Sequence, residues 1–229
     1  MRVLVIDIGG TNVKVASTDA PVPIKIPSGP EMTAESMCSQ VLAATKKWRY
    51  DRISIGYPGP VVNHRPIAEP HNLGAGWVNF DYDKAFGKPL RFINDAAMQA
   101  LGGYESGRML FIGTGTGLGS AMVLDGVVVP LELAHLPYKK GRTYEQYIGL
   151  AGLEQRGKKR WRQSVLDIIE LLRAAMVCDN VLLGGGNAKL MKDLPPHIVL
   201  GSNENAVKGG FRLWEEMTAK QAAKQAAKL

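Results

Sequence analysis

The chain has 229 residues and only two cysteines, Cys38 and Cys178. Two distant thiols cannot form a zinc cluster. Both fall in apolar helical patterns, so buried, reduced side chains are expected. No apolar run approaches the roughly 20 residues needed to cross a bilayer. The apolar stretch Val3–Ile8 is too short for a secretory signal and carries Asp7, so a cytoplasmic protein with no membrane partner is expected. No repeat of roughly 20–50 residues is present, which excludes a solenoid, and no serine-rich linker divides the chain. A GxxxxGK[ST] phosphate loop is missing. So is a dinucleotide fingerprint, because the first glycine turn leads into a strand rather than a helix.

What is present suits a globular domain with a real core: hydrophobic residues make up 45% and charged residues 21%. The net charge is +7, with a basic cluster, RGKKRWR, at Arg156–Arg162 and an alanine-rich basic stretch closing the chain. Such an excess suits a polyanion partner, whether nucleic acid, acidic lipid or polyphosphate, but it also marks an ordinary solvated helix face.

Strand, glycine turn, strand occurs twice. Arg2–Ile8 runs through Gly9-Gly10-Thr11 into Asn12–Ala16, and Met109–Ile112 runs through the 113–119 loop into Ser120–Leu124. Asp125-Gly126 reads as a type I′ turn leading to Val127–Leu131. Further strands are expected at Val22–Ile26, Ile53–Ile55, Leu90–Ile93 and Val181–Leu183. Helices are expected at 33–48 with Thr33 as cap, after Asp95, at 160–178 and at 206–228. The duplication implies two similar lobes facing one cleft.

Glycine turns let a ligand approach the backbone, and their successive N–H groups form nests for anions. Two of them at matching places make a clamp for adjacent phosphates, although tight hairpins need glycine in any case. Asp7, at the end of the first strand, is placed to ligate Mg²⁺ through water, or else only to stabilise its turn. Lys14 is placed to add a charge to a phosphate, or to face solvent. Asp95 sits where a strand gives way to a helix. It suits either helix capping or acceptance of a proton from an attacking hydroxyl. Glu132 and His135 can accept from and donate to a polyol. No nearby His or Cys makes them a metal site.

These residues carry a resemblance. DIGGTNVKVA (7–16), FINDAAMQA (92–100), GTGTGLGSAMVLDG (113–126), LELAHLPY (131–138) and LLGGGNAK (182–189) resemble, in order, the motifs of the ROK family (repressors, open-reading-frame kinases), and within it the polyphosphate glucokinase branch. The resemblance implies an α/β, two-lobed actin/hexokinase-like (ribonuclease H-like) fold of duplicated βββαβα units. We expect a small lobe at 1–94, completed by the helix 206–229, and a larger lobe at 95–205. It further implies that Asp95 is the catalytic base on a sugar 6-hydroxyl. Asn94, Glu132, His135 and, on a looser alignment, Glu145 would bind the sugar, with Pro58-Gly59 shaping its pocket. Gly9, Gly10, Thr11, Gly113, Thr114 and Gly115 would meet donor phosphates. Gly184, Gly185 and Gly186 would lie near the adenosine of ATP or further along a polyphosphate.

Two departures stand out. The CxCGxxGC zinc motif of most members is missing, so no structural zinc is expected, and Ala134 replaces the glycine of ExGH. With no N-terminal helix-turn-helix, the repressor branch and a nucleic-acid partner are not expected; a homodimer stays open. Three activities fit: glucose 6-phosphate formation with Mg²⁺ and polyphosphate, ATP or both; an ATP-dependent kinase of another hexose; and an idle sugar or polyanion binder.

Overall fold

The computed structural model describes residues 1–202 and 204–215. Two five-stranded sheets carry the same topology. The first has β1 (Val3–Ile8) flanked by β2 (Asn12–Ser17) and β4 (Arg52–Tyr57), with β3 (Ala20–Pro27) and β7 (Leu90–Asn94) at its edges; β5 (Val61–Val62) and β6 (Arg65–Pro66) form a small separate hairpin. The second has β8 (Arg108–Thr114) flanked by β9 (Leu118–Leu124) and β11 (Asn180–Gly184), with β10 (Val127–Leu131) and β12 (Ile198–Leu200) outside. In each sheet the first strand pairs antiparallel with the next and parallel with the one beyond the crossover. All six residues of β1 are buried, as expected of a central strand covered on both faces. Asp125 and Gly126 both have positive φ (50° and 84°), which fits the type I′ turn read from the sequence.

Helix α1 (Ala34–Ala44) starts at Thr33, whose hydroxyl accepts from the Ser36 N–H. It ends a turn earlier than its periodicity predicts. Thr45 turns both its N–H and its hydroxyl back to the Val41 carbonyl, and Trp48 leaves the helix. Two short helices, α2 (Tyr82–Phe86) and α4 (Tyr144–Ile148), carry no clear period and are absent from the sequence reading. Between them lies α3 (Asp95–Gly103). The helix expected over 160–178 is the second part of α5 (Leu150–Ala175), which breaks at Gly157, where φ is 72° and ψ is 159°. Of the final expected helix, α6 (Asn205–Arg212) is formed; residues 216–229 lie outside the described residues.

The core has three parts. One lies beneath the first sheet with α1, and one beneath the second with Trp161, Val165 and Ile169 of α5. The third fills the space between the sheets and gathers Val5, Ile93, Met98, Phe111, Leu182 and Trp214 around α3 and α6. These two helices cross with almost no side chain between them. A Cβ on Gly102 would lie 1.8 Å from the Asn205 carbonyl oxygen, and one on Gly209 would lie 1.8 Å from that of Met98. The far side of α6 rests on the first sheet, where the Ser54 hydroxyl donates to the Gly210 carbonyl. Trp214 closes this junction between the guanidiniums of Arg52 and Arg91, at 4.7 and 4.3 Å.

Candidate active site

A cleft of about 660 Å³ opens between the sheets at the ends of their strands. Asp95 stands at its floor as the first residue of α3. The capping task falls to its neighbour: Asn94 Oδ1 accepts from the Ala97 N–H at 3.1 Å, and Asn94 Nδ2 donates to the Gly59 carbonyl at 3.2 Å. One side chain thus starts the helix and ties it to the Pro58-Gly59 loop. Asp95 Oδ1 accepts from the Ala96 N–H at 2.7 Å, and the residue faces the cleft. Desolvation by the surrounding walls, then the charge of Asp7 and to a smaller extent that of Glu132, push its carboxyl up to about 7, against that N–H bond. A carboxyl that titrates near neutrality suits proton transfer.

The first glycine turn is closed by the Gly9 N–H donating to the Asn12 carbonyl and by the Ser28 hydroxyl donating to that of Gly9. Asp7 lies just behind it, buried, with Lys14 Nζ 3.1 Å from its Oδ2 across the β1–β2 ladder. Lys14 is thus engaged by Asp7, and neither residue lines the cleft wall. The second turn is tied to the Gly184–Gly186 segment. Thr114 is fully buried and donates its hydroxyl to the Gly184 carbonyl at 3.2 Å, while Asn187 Nδ2 donates to the Gly115 carbonyl at 3.1 Å. Gly185 has φ of 86°, and a Cβ there would lie 2.5 Å from the Thr114 carbonyl oxygen, so the close approach of the two segments needs glycine.

Glu132, Ala134, His135 and Glu145 line the opposite wall. Desolvation raises the Glu132 carboxyl, while His135 and His71 oppose that rise. Ala134 is buried, and its carbonyl accepts from the Glu145 N–H at 3.0 Å, so its methyl is accommodated.

The cleft therefore brings together Gly9, Gly10, Thr11, Pro58, Gly59, Asn94, Asp95, Gly113, Gly115, Glu132, His135, Glu145 and Gly185. Asp7, Lys14, Thr114, Gly184 and Gly186 stand outside its lining. Sequence reasoning missed His71 and Asn72, which enter from the loop after β6. Glu69 folds that loop by accepting from the Trp77 and Val78 N–H groups, and Leu73 and Trp77 anchor it in the core. Its signal was a polar pair beside buried apolar anchors. Gln99 was also missed. It lines the cleft one helical turn beyond Asp95, a spacing that marks the same face of α3.

The basic cluster divides. Trp161 is core. Arg156 stacks on Tyr147 at 4.4 Å and donates to Ser164, and Arg162 donates to the Leu190 carbonyl. Lys158, Lys159 and Arg160 are exposed, and none of the seven lines the cleft. Among the described residues no group of three or more His, Cys, Asp or Glu side chains is gathered to hold a metal, and no helix is long and apolar enough to cross a membrane. Both cysteines are buried, and desolvation pushes the Cys38 thiol up to about 12.

Comparison with known proteins extends this geometry. The model of the ROK family matches residues 3–130. A polyphosphate glucokinase of Mycobacterium tuberculosis (strain ATCC 25177 / H37Ra) is 25% identical over 206 residues, covering 79% of this chain and 76% of that protein. Among solved structures, an inorganic polyphosphate/ATP-glucomannokinase from Arthrobacter sp. strain KM superposes with a TM-score of 0.77 at 23% identity, covering 93% of this chain and 98% of that one. A ROK hexokinase from Thermus thermophilus superposes with a TM-score of 0.71 at 20% identity, covering 98% and 100%. The paired sheets are those of the two-lobed, actin-like fold of these hexokinases.

Proposed function

Because the chain belongs to the ROK family of sugar kinases and repressors, we propose that it is a hexose kinase that forms glucose 6-phosphate with polyphosphate, ATP or both as donor. The observation that carries this reading is Asp95: a carboxyl held near neutrality, facing a cleft between two glycine turns. The names of the relatives, a polyphosphate glucokinase and a polyphosphate/ATP-glucomannokinase, support the hexose and the donors.

In this reading Asn94, Glu132, His135 and Glu145 hold the sugar hydroxyls, and Pro58-Gly59 bounds the pocket. Asp95 accepts the proton of the 6-hydroxyl as its oxygen attacks phosphorus. The two turns, Gly9-Gly10-Thr11 and Gly113–Gly115, receive the donor phosphates; the N–H groups of Gly10 and Thr11 serve as donors to their oxygens, while those of Gly9 and Gly115 close the turns on the Asn12 and Gly117 carbonyls. Alignment of nucleophile and phosphorus does most of the work, and the base contributes roughly 10²–10⁴-fold. Mg²⁺ supplies charge neutralisation on the donor. Asp7 fits the role of reaching such an ion through water, because it lies behind the first turn with a single cation beside it. Thr114 acts in support, since its hydroxyl is spent on Gly184. The lobes divide at residues 94/95, with α6 completing the first.

Polyphosphate is favoured as a donor by Lys158, Lys159 and Arg160. They follow the break at Gly157 in α5, the helix whose first residue, Leu150, donates its N–H to the Thr116 carbonyl of the second glycine turn. The test is hexose 6-phosphate formation with glucose and Mg²⁺, comparing long-chain polyphosphate with ATP, followed by mannose, fructose and N-acetylhexosamines. Product from polyphosphate supports the reading, and its affinity should fall steeply with salt. Product from ATP alone removes polyphosphate and returns the basic cluster to a solvated face. No product from any pair defeats the kinase reading.

A further inference from the structure

Glu145 occupies a position that a simple sugar ligand does not need. Its Oε2 accepts from the Leu118 N–H at 3.1 Å, at the end of the second glycine turn. The turn is shaped to admit it: a Cβ on Gly117 would lie 2.3 Å from that oxygen. The same residue's N–H donates to the Ala134 carbonyl, in the segment that carries Glu132 and His135, at 3.0 Å. Its carbonyl accepts from the Gly149 N–H at 2.8 Å, and the next N–H, that of Leu150, donates to the Thr116 carbonyl at 3.1 Å. The carboxylate also lines the cleft. Residue 145 therefore joins the wall facing the acceptor to the turn facing the donor, through one backbone bond and one side-chain bond.

We propose that Glu145 is a positioning residue for the phosphoryl donor: its carboxylate fixes the 115–118 turn and so couples hexose binding to donor binding. The inference rests on the kinase reading for its hexose half, whereas its donor half stands on the contact with Leu118 alone. The carboxylate oxygen that Leu118 leaves unused is available to a sugar hydroxyl. A sugar held there orders the side chain, and the ordered side chain holds the turn on which the donor phosphates rest. A charged hydrogen bond of this kind is strong enough to change donor affinity by about tenfold.

The experiment compares Glu145→Ala, Glu145→Gln, Gly117→Ala and the double variant Gly117→Ala/Glu145→Ala. Tripolyphosphate and a non-hydrolysable ATP analogue serve as donor probes, each titrated with and without glucose. Glutamine keeps an acceptor for the Leu118 N–H, so Glu145→Gln should retain most of the donor affinity. Glu145→Ala should weaken donor binding about tenfold, speed amide exchange at Leu118 and abolish any tightening of the donor by glucose. Gly117→Ala should do the same by displacing the carboxylate, and the double variant should be no worse than either single one.

Three results would overturn the proposal. One is a Glu145→Ala variant that loses glucose affinity while its donor affinity and Leu118 exchange stay unchanged; that outcome makes Glu145 a sugar ligand only. Another is Glu145→Gln failing as badly as Glu145→Ala. The third is full additivity in the double variant. If the parent protein binds no hexose at all, the kinase reading fails, and tripolyphosphate affinity with Leu118 exchange still decides whether Glu145 holds the turn.

Discussion

Asp95 and Asp7 set the chemistry at the scale of single residues, and both can be tested by pH. Asp95 must be ionised to accept a proton, so kcat/KM for the hexose should rise about tenfold per pH unit below an apparent pKa near 7 and level off above it. Asp7 is the larger of the two charges that raise it, so Asp7→Asn should move that midpoint to lower pH. A midpoint that stays put would remove Asp7 as a cause. Asp95→Asn should leave sugar binding largely intact and lower turnover by orders of magnitude. Unchanged turnover would reject Asp95 as the base. The same substitution should alter stability in a defined direction. The folded carboxyl binds its proton more tightly than the unfolded one, whose pKa is about 3.9. The native state is therefore favoured in acid and loses that advantage as pH rises from about 4 to about 7. A neutral amide in place of the carboxyl carries no such cost. The variant should be more stable than the parent at pH 8, by up to a few kcal/mol, and nearly level with it at pH 4, as read by thermal melts at the two pH values.

Among the elements, α5 and the α3–α6 crossing make the clearest demands. Helix α5 ends in a Schellman motif: the Val177 N–H donates to the Ala174 carbonyl and the Cys178 N–H to that of Arg173. Val177 takes φ of 53° and is 61% exposed, a β-branched residue in a conformation that favours glycine. Val177→Gly should stabilise the protein by about 1 kcal/mol, or about 2–4 °C in a thermal melt. No gain would mean that the turn stores no strain. Gly209→Ala should have the opposite effect. Its Cβ has no room against the Met98 carbonyl, so the crossing must open at a cost of about 3 kcal/mol, read by urea unfolding.

The same elements mark what the sequence could and could not reveal. Both glycine turns were legible because turn chemistry is local: a strand, a glycine cluster and a second strand suffice. Asn94 and Asp95 were legible as a strand-to-helix junction, yet their division of labour needed the Gly59 carbonyl, which lies far away in sequence. Helix α4 was hidden because it is a single turn, whose Thr143–Gln146 capping box precedes too few residues to show a period. The first part of α5 was hidden by Gly157, which interrupts the apolar stripe. Asn72 could not be found from sequence, because its approach to Gly10 depends on a loop folded by Glu69 and anchored by Trp77.

For the whole molecule, the lobes meet through α3, α6 and the core between the sheets, and Ala96 and Phe111 of that core also line the cleft. Such an arrangement permits closure over a bound sugar, which would keep water from the phosphoryl group. The radius of gyration of a folded chain of this length is about 17 Å, and saturating glucose should lower it by several tenths of an ångström in small-angle scattering. An unchanged value would count against closure.

The Trp214 clamp gives the seating of α6 on the first sheet an optical reporter. The other indoles are Trp48, Trp77 and Trp161; the last two are sealed within separate cores. Trp214 sits where α6 meets the first sheet, its ring flanked by two guanidiniums and its Nε1 buried without an acceptor among the described residues. Its emission is set by charges that α6 and the first sheet hold in place together. The fold has thus put a native fluorophore where α6 docks on the first sheet, and its signal can be followed without attaching a dye.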